Sequence, residues 1–326
     1  KEYPLPEKLA QIKKERDAAI RKVLTGEDNR FLVIIGPCSA DSEEPVCDYV
    51  SRLTKIAEDV KDRLIIIPRV YTNKPRTTGE GYKGIATQPD PEKAPDMVAG
   101  LIAMRKLHIR TIEESGLTPA DEMLYPENWS YIDDLLSYVA IGARSVEDQQ
   151  HRLVVSGFDV ASGMKNPTSG DFSVMLNSVY AAQHPHHFIY RGCDVETSGN
   201  SLAHTILRGG VDKYGQTIPN YHYEDLMRLY DLYSKKDLQN PAVIVDVNHS
   251  NSGKQYKEQI RIVSEVLHSR NLNPHIKTLV KGVMIESYIE DGNQSIGNGV
   301  YGQSITDPCL GWDKSAALLY RMADYI

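Results

Sequence analysis

The chain has 326 residues, 41% hydrophobic and 25% charged, the balance of a globular protein with room for one large α/β domain or two smaller ones. No apolar run reaches the roughly 20 residues a membrane span needs, the polar start carries no secretory signal, and a net charge of −7 weighs against a nucleic-acid partner. Four cysteines (Cys38, Cys47, Cys193, Cys309) lack zinc-finger or disulfide-framework spacing, which points to a reducing cytoplasm.

Residues 4–25 read as an amphipathic helix, with Leu9, Ile12, Ala19 and Val23 near one face and Gly26 as its stop. It belongs to an extension, residues 1–30, expected to pack on a neighbouring element or subunit. Strand and helix patterns then alternate. Residues 31–35 are an apolar run ending in Gly36-Pro37-Cys38-Ser39-Ala40, and Val46, Val50, Leu53 and Ile56 recur at helical spacing. Residues 64–67 form a second strand, ending at Arg69. The Gly- and Pro-rich loop after it carries Lys74, Arg76 and Lys83, with Thr77 and Thr78 as hydroxyl donors. A helix over 97–115, closed by Gly116, leads to a weak strand at 121–124. The pattern continues with a helix at 131–137, a strand at 139–144 ending in Arg144, and a strand at 159–165 ending in Lys165. A helix at 172–183 and an inserted β-hairpin at 187–198 precede a strand at 203–207 that ends in Arg208. A helix at 223–232, a strand at 242–247 ending in Asn248-His249, a helix at 258–269, a strand at 282–285 ending in Glu286, and a helix at 314–325 complete the chain. Eight strands alternating with helices predict an α/β fold, a parallel (β/α)8 TIM barrel over residues 31–326.

Active sites of such barrels form at the C-terminal ends of the strands. Those ends carry Cys38, Arg69, Arg144, Lys165, Arg208, His249 and Glu286. So many cations around one mouth would repel one another without bound anions, so the expected substrates carry several negative charges. Cys38, His249 and Glu286 close strands one, seven and eight, neighbours in a closed barrel, and Asp307 follows in the next loop. A thiolate, an imidazole and two carboxylates suit Mn, Fe, Co or Zn better than Mg or Ca. Weaker signals compete. Gly79-Glu80-Gly81-Tyr82-Lys83-Gly84 matches the G-x-G-x-x-G dinucleotide pattern but lies outside a strand-to-helix turn. The run His184-Pro185-His186-His187 reads better as a loop than as a metal site. Lys165 could form a Schiff base, which would leave the metal-ligand candidates without a role.

The motifs are specific enough for a resemblance. G-P-C-S stands at 36–39, R-V-Y at 69–71, K-P-R-T-T at 74–78, G-A-R at 142–144 and K-N-x-T-x-G at 165–170. I-L-R-G-G follows at 206–210, D-x-x-H-x-N-S at 246–252, E-S at 286–287 and S-I-T-D-x-C at 304–309. From about Tyr3 to its end the chain resembles the 3-deoxy-D-arabino-heptulosonate 7-phosphate (DAHP) synthase family of the type I alpha kind. The resemblance implies a cytoplasmic transferase, a homodimer or homotetramer, that condenses phosphoenolpyruvate (PEP) with erythrose 4-phosphate (E4P) in the first step of the shikimate pathway. It implies a divalent metal, Mn2+ first, on Cys38, His249, Glu286 and Asp307. PEP would lie on Arg69, Lys74, Arg144, Lys165 and Arg208 with His249 nearby, and E4P on Lys74, Pro75, Arg76, Thr77 and Asp307. Catalysis would fall to Lys74, Arg144, Lys165, Arg208 and His249. Trp129-Ser130 replaces a Pro-Gln pair, and Phe158-Asp159 departs from a Ser-Gly-Leu-Ser segment, at positions where many members bind a feedback aromatic amino acid. Whether an effector binds here, and which, is therefore open. The sibling 3-deoxy-D-manno-octulosonate 8-phosphate synthase, which uses arabinose 5-phosphate, typically has K-A-N-R where this chain has Lys74-Pro75-Arg76-Thr77. Cys309 is expected near Cys38, where oxidation of metal-free protein could join the two.

Overall fold

A computed structural model describes residues 2–326; Lys1, the first residue of the expected extension, lies outside them. In chain order the strands are β1 (Phe31–Gly36), β2 (Leu64–Pro68), β3 (Ala120–Glu122), β4 (Tyr138–Ile141), β5 (Ala161–Lys165), β6 (His187–Tyr190), β7 (Cys193–Glu196), β8 (Ala203–Leu207), β9 (Gly210–Val211), β10 (Thr217–Ile218), β11 (Val243–Asp246) and β12 (Val280–Glu286). The helices are α1 (Glu7–Thr25), α2 (Glu43–Asp59), α3 (Met97–Ser115), α4 (Gln149–Val155), α5 (Phe172–Gln183), α6 (Tyr223–Ser234), α7 (His249–Ser252), α8 (Glu258–Leu272), α9 (Pro274–Leu279) and α10 (Trp312–Tyr325). Eight strands pair in parallel in the order β2-β1-β12-β11-β8-β5-β4-β3. A parallel bridge between Arg69 and Ala120 joins the two outermost strands, so the barrel closes as expected. The expected hairpin is β6–β7, between α5 and β8.

The period-2 geometry of a strand divides its side chains between two apolar surroundings. Leu32, Ile34, Ile65, Ile67, Ile244 and Met284 belong to the cluster that fills the barrel. Their neighbours Val33, Ile35, Ile66, Val245, Val283 and Ile285 belong to the cluster packed under the helices. Both faces are buried, which is why these strands read as unbroken apolar runs.

Helix α1 finds its neighbour in its own barrel. Ile20, Val23 and Leu24 join the interior cluster. Its polar side chains bond residues just ahead of three strands: Arg16 Nε donates to Thr118 Oγ1 at 3.0 Å, Asp17 accepts from Ser137 Oγ, and Arg21 Nη2 donates to the Asp159 carbonyl at 3.0 Å. The helix thus covers the N-terminal mouth and leaves the C-terminal mouth to the loops.

Two expected elements differ. The helix at 131–137 is a 3-10 turn, Pro126–Tyr131, followed by turns. Ser137 N–H already bonds the Pro119 carbonyl at 3.1 Å, which draws the chain into β4 before an α-helix can form. Strand β4 also stops at Ile141, because Gly142 begins a turn closed by its carbonyl and the Ser145 N–H. Arg144 therefore hangs from a turn beyond the strand. A Cβ on Gly142 would stand 2.4 Å from Glu122 Oε1, so any larger residue would have to push that carboxylate aside. Among the described residues no helix is long and apolar enough to cross a membrane.

Candidate active site

Parallel pairing of β1 with β12 sets Gly36 opposite Glu286 and brings Cys38 to the same side. Cys38, Glu286 and Asp307 offer ligand atoms that all lie within 4.8 Å of one another. His249 stands outside that trio, with Nε2 3.5 Å from Glu286 Oε1. Its Nδ1 lies 2.8 Å from Asp246 Oδ2, an arrangement that puts the proton on Nδ1 and leaves the Nε2 lone pair free. The φ of 49° at His249 is uncommon for a residue with a side chain and marks a constrained backbone at this position.

A cation already sits among these donors. Lys74 Nζ is 2.9 Å from Cys38 Sγ and 3.0 Å from Asp307 Oδ2, and Lys254 Nζ is 3.0 Å from Asp307 Oδ1. Burial alone would raise the Asp307 carboxyl, but Lys74 and Lys254 hold it well below the usual carboxylate range. Burial, followed by the charge of Glu286, pushes the Cys38 thiol up. A soft sulfur, an imidazole and two carboxylates gathered around a positive charge fit a borderline divalent metal, which would hold Cys38 as the thiolate.

Two cations on the other side, Arg69 and Lys165, are tied to acids. Arg69, 2% exposed, donates from Nη2 to Glu286 Oε1 at 3.0 Å and from Nη1 to the Pro37 carbonyl. Its guanidinium lies 3.8 Å from the Tyr71 ring centroid, and its Nε is buried without a partner. Lys165 Nζ stands 3.3 Å from Glu122 Oε2 and 3.9 Å from Asp246 Oδ2. Against the upward push of burial, Lys165 and Arg69 hold Glu122 below its ordinary value, and His249, Lys165 and Arg69 do the same for Asp246. Burial lowers the Arg208 guanidinium, partly offset by Asp246. Arg144 Nε donates to Thr77 Oγ1 at 2.9 Å, and Arg76 Nε to the Tyr82 carbonyl at 2.8 Å, so the long loop folds back over the mouth.

All of this faces one cavity of about 460 Å³. It is lined by Cys38, Arg69, Lys74, Pro75, Arg76, Thr77, Arg144, Lys165, Arg208, His249 and Asp307, each singled out from sequence; Glu286 lies just behind, bonded to Arg69 and Asn248. Seven cations on the wall, counting Lys254, face three acids, Glu80, Glu122 and Asp307, against the sign of the whole chain. Glu122, Asp246, Tyr71 and Lys254 were not foreseen as site residues. Glu122 is the missing eighth strand end, and Asp246 opens the D-x-x-H motif; both signals were present. Trp129, Ser130, Phe158 and Asp159 lie elsewhere. The Trp129 and Phe158 rings stack at 3.9 Å, and Arg191 of the hairpin donates to Ser130 Oγ. The histidines of 184–187 each take a separate partner, and Gly79–Gly84 opens no helix.

A closed (β/α)8 barrel with a cation-rich cavity at the C-terminal ends of its strands has the build of an enzyme. The sequence matches the DAHP synthetase I family over residues 8–320, and the chain belongs to that family. It is 38% identical over 99% of its length to the Phe-sensitive phospho-2-dehydro-3-deoxyheptonate aldolase of Escherichia coli K12, covering 91% of that protein. A Trp-sensitive aldolase of Enterobacter agglomerans is 37% identical over 100% of this chain and 92% of its own. The solved structure of phospho-2-dehydro-3-deoxyheptonate aldolase from Francisella tularensis superposes with a TM-score of 0.90 at 32% identity, over 99% of this chain and 93% of that one.

Proposed function

We propose that this enzyme condenses PEP with E4P to give DAHP and phosphate, opening the shikimate route to the aromatic amino acids. The carrying observation is the wall of seven cations beside the thiol–carboxylate cluster. Two phosphates and a carboxylate match that charge, and guanidinium forks suit both groups. Lys74-Pro75-Arg76-Thr77 favours E4P over arabinose 5-phosphate, and the relatives are named for a heptonate product.

In this reading Arg69, Arg144, Lys165 and Arg208 hold PEP with C3 facing the E4P aldehyde, while Arg76 and Thr77 hold the E4P phosphate and Asp307 reaches the sugar end. A bond forms between PEP C3 and the aldehyde carbon, and the carbonyl electron pair moves to oxygen, which takes a proton from Lys74 Nζ. Water adds at PEP C2 and gives a proton to the Glu122 carboxylate, so one proton enters the product as one leaves the water. The hemiketal phosphate then breaks its C–O bond as its hydroxyl becomes the C2 carbonyl and passes its proton to the departing phosphate, which leaves onto Arg144, Lys165 and Arg208. Cys38, His249, Glu286 and Asp307 would hold a divalent metal, Mn2+ first and Fe2+, Co2+ or Zn2+ by donor chemistry, which supplies a Lewis acid for the aldehyde.

An aromatic amino acid effector is proposed beside Trp129, Ser130, Phe158 and Asp159. These residues link the 3-10 turn to the hairpin through Arg191 and to α1 through Arg21, and relatives are named Phe- and Trp-sensitive. The test is PEP consumption with E4P or arabinose 5-phosphate, with and without chelator, then with Phe, Tyr or Trp. The reading expects E4P-dependent turnover that chelator abolishes and Mn2+ restores. Turnover only with arabinose 5-phosphate, or borohydride trapping of substrate on Lys165, would overturn it.

A further inference from the structure

The barrel is thinnest where it closes. β2 and β3 share the Arg69–Ala120 bridge and a bond from Val70 N–H to the Ala120 carbonyl at 3.0 Å. At Thr72 a side chain takes over from the strand: its N–H donates to Asp121 Oδ1 at 2.9 Å, and its hydroxyl donates to Asp121 Oδ2. The Glu122 N–H also donates to Oδ1, at 2.7 Å, and His108 Nε2 of α3 lies 3.0 Å from Oδ2. Each carboxylate oxygen thus takes two donors, the full capacity of an ionised carboxyl, in surroundings where Asp121 and His108 are both 0% exposed. A carboxylate only accepts, so the His108 proton sits on Nε2. The bare Nδ1 is a buried nitrogen without a partner.

The far side of Thr72 is clamped as well. Its carbonyl accepts from Ala86 N–H at 3.0 Å, and Lys74 N–H donates to the Lys83 carbonyl at 2.9 Å. Gly84 presses so close that a Cβ there would stand 2.3 Å from the Thr72 oxygen. Residues 72–74 are held between Asp121 and this returning segment, and Lys74 leaves the clamp to meet Cys38 and Asp307. Arg69 and Lys165 are held by other acids.

We propose that Asp121, oriented by His108, is a positioning residue. It fixes the loop carrying Lys74, Arg76 and Thr77 without touching either substrate. The kinetic part of this proposal rests on the reading that these residues hold E4P.

The experiment compares Asp121→Asn, His108→Leu and His108→Gln in the full-length protein, by steady-state kinetics on both substrates and by amide hydrogen exchange. Asp121→Asn and His108→Leu raise the KM for E4P about tenfold, the size of one net buried hydrogen bond, and leave the KM for PEP within about twofold. His108→Gln, whose amide N–H can replace Nε2–H, returns toward wild type. In the two damaging variants exchange at residues 72–74 speeds up at least about tenfold, with β1 and β12 unchanged. A rise in both KM values together, a Gln variant no better than Leu, or protection lost throughout the barrel would overturn the proposal. If Asp121→Asn fails to fold, the His108 pair decides. If the wild type turns over no PEP with E4P, the substrate reading falls, and exchange at 72–74 alone decides the clamp.

Discussion

Arg76→Ala separates the two halves of the cavity. Arg76 is half-buried on the cavity wall, with Nε bonded to the Tyr82 carbonyl and its terminal nitrogens at the end of the fork. A hydrogen bond to a charged partner contributes about 1.5–3 kcal/mol, and a fork on a phosphate makes two. Water replaces part of that in an open mouth, so a net loss of about 3 kcal/mol, roughly 150-fold in affinity for E4P, is expected. Arg69 and Lys165, the cations assigned to PEP, keep their own carboxylate partners, so the KM for PEP should stay within about twofold. Losing the Tyr82 bond costs about 1 kcal/mol, too little to unfold a barrel of this size. The assay follows PEP consumption while each substrate is varied at saturating levels of the other. An equal loss for both substrates would refute the division of the loop, and an unchanged E4P KM would remove Arg76 from the phosphate site.

Three further outcomes follow from named groups. Glu122→Gln keeps the shape and an acceptor for Lys165 but removes the base, so kcat should fall about hundredfold or more; activity within about threefold of wild type would take Glu122 out of the proton path. Burial pushes the Asp41 carboxyl up to about 6 despite its bond from Tyr288. A raised carboxyl destabilises the fold only once it ionises, so Asp41→Asn should match wild type near pH 4, gain through pH 4–6, and level off above that at about 2–3 kcal/mol. Denaturant titrations at pH 4 and 7 check this, and an equal gain at both would show a packing effect instead. In metal-free protein, peroxide should take two electrons and two protons from Cys38 and Cys309, forming a disulfide and two waters. Both thiols meet Asp307, Cys38 at its carboxylate at 3.7 Å and Cys309 at its carbonyl at 3.6 Å, and Cys309→Ser should slow inactivation; unchanged sensitivity would end the idea.

Most of the barrel was legible because burial on both faces leaves apolar runs that punctuate the chain, as at Phe31–Gly36 and Val280–Glu286. The cations were legible because a charge at the end of such a run stands out. Glu122 stood out less: the weak strand at 121–124 is short, and with two of the three residues of β3 acidic no single charge marks its end. Its meaning comes from Lys165, 43 residues further on. Asp121 is harder still, since its four donors come from α3, from the loop after β2 and from its own neighbour. Local pattern carries no trace of such a convergence. The helix expected at 131–137 failed for a related reason, because a single bond from Ser137 to Pro119 across the strand ends outweighed the local preference.

Charge repulsion alone predicts that clustered cations need bound anions to coexist. The structure shows a different arrangement. Arg69 has Glu286, Lys165 has Glu122 and Asp246, and Lys74 and Lys254 share Asp307. The protein supplies the opposing charge from behind, so the mouth can stand assembled before any substrate arrives. Preorganisation of this kind costs nothing at the moment of reaction. It also makes the backing acids as consequential as the cations. Removing one partner of a buried pair leaves an uncompensated charge, at about 3–5 kcal/mol, whereas Arg144 and Arg76, bonded to a hydroxyl and a carbonyl, are free to respond to a phosphate. The wall therefore has a rigid half, centred on Arg69 and Lys165, and an adaptable half, centred on Arg76 and Arg144. A ligand that must be held still while its bonds rearrange belongs on the rigid half, where the PEP assignment has Arg69 and Lys165, while Arg144 reaches PEP from the adaptable half and can follow the phosphate as it departs.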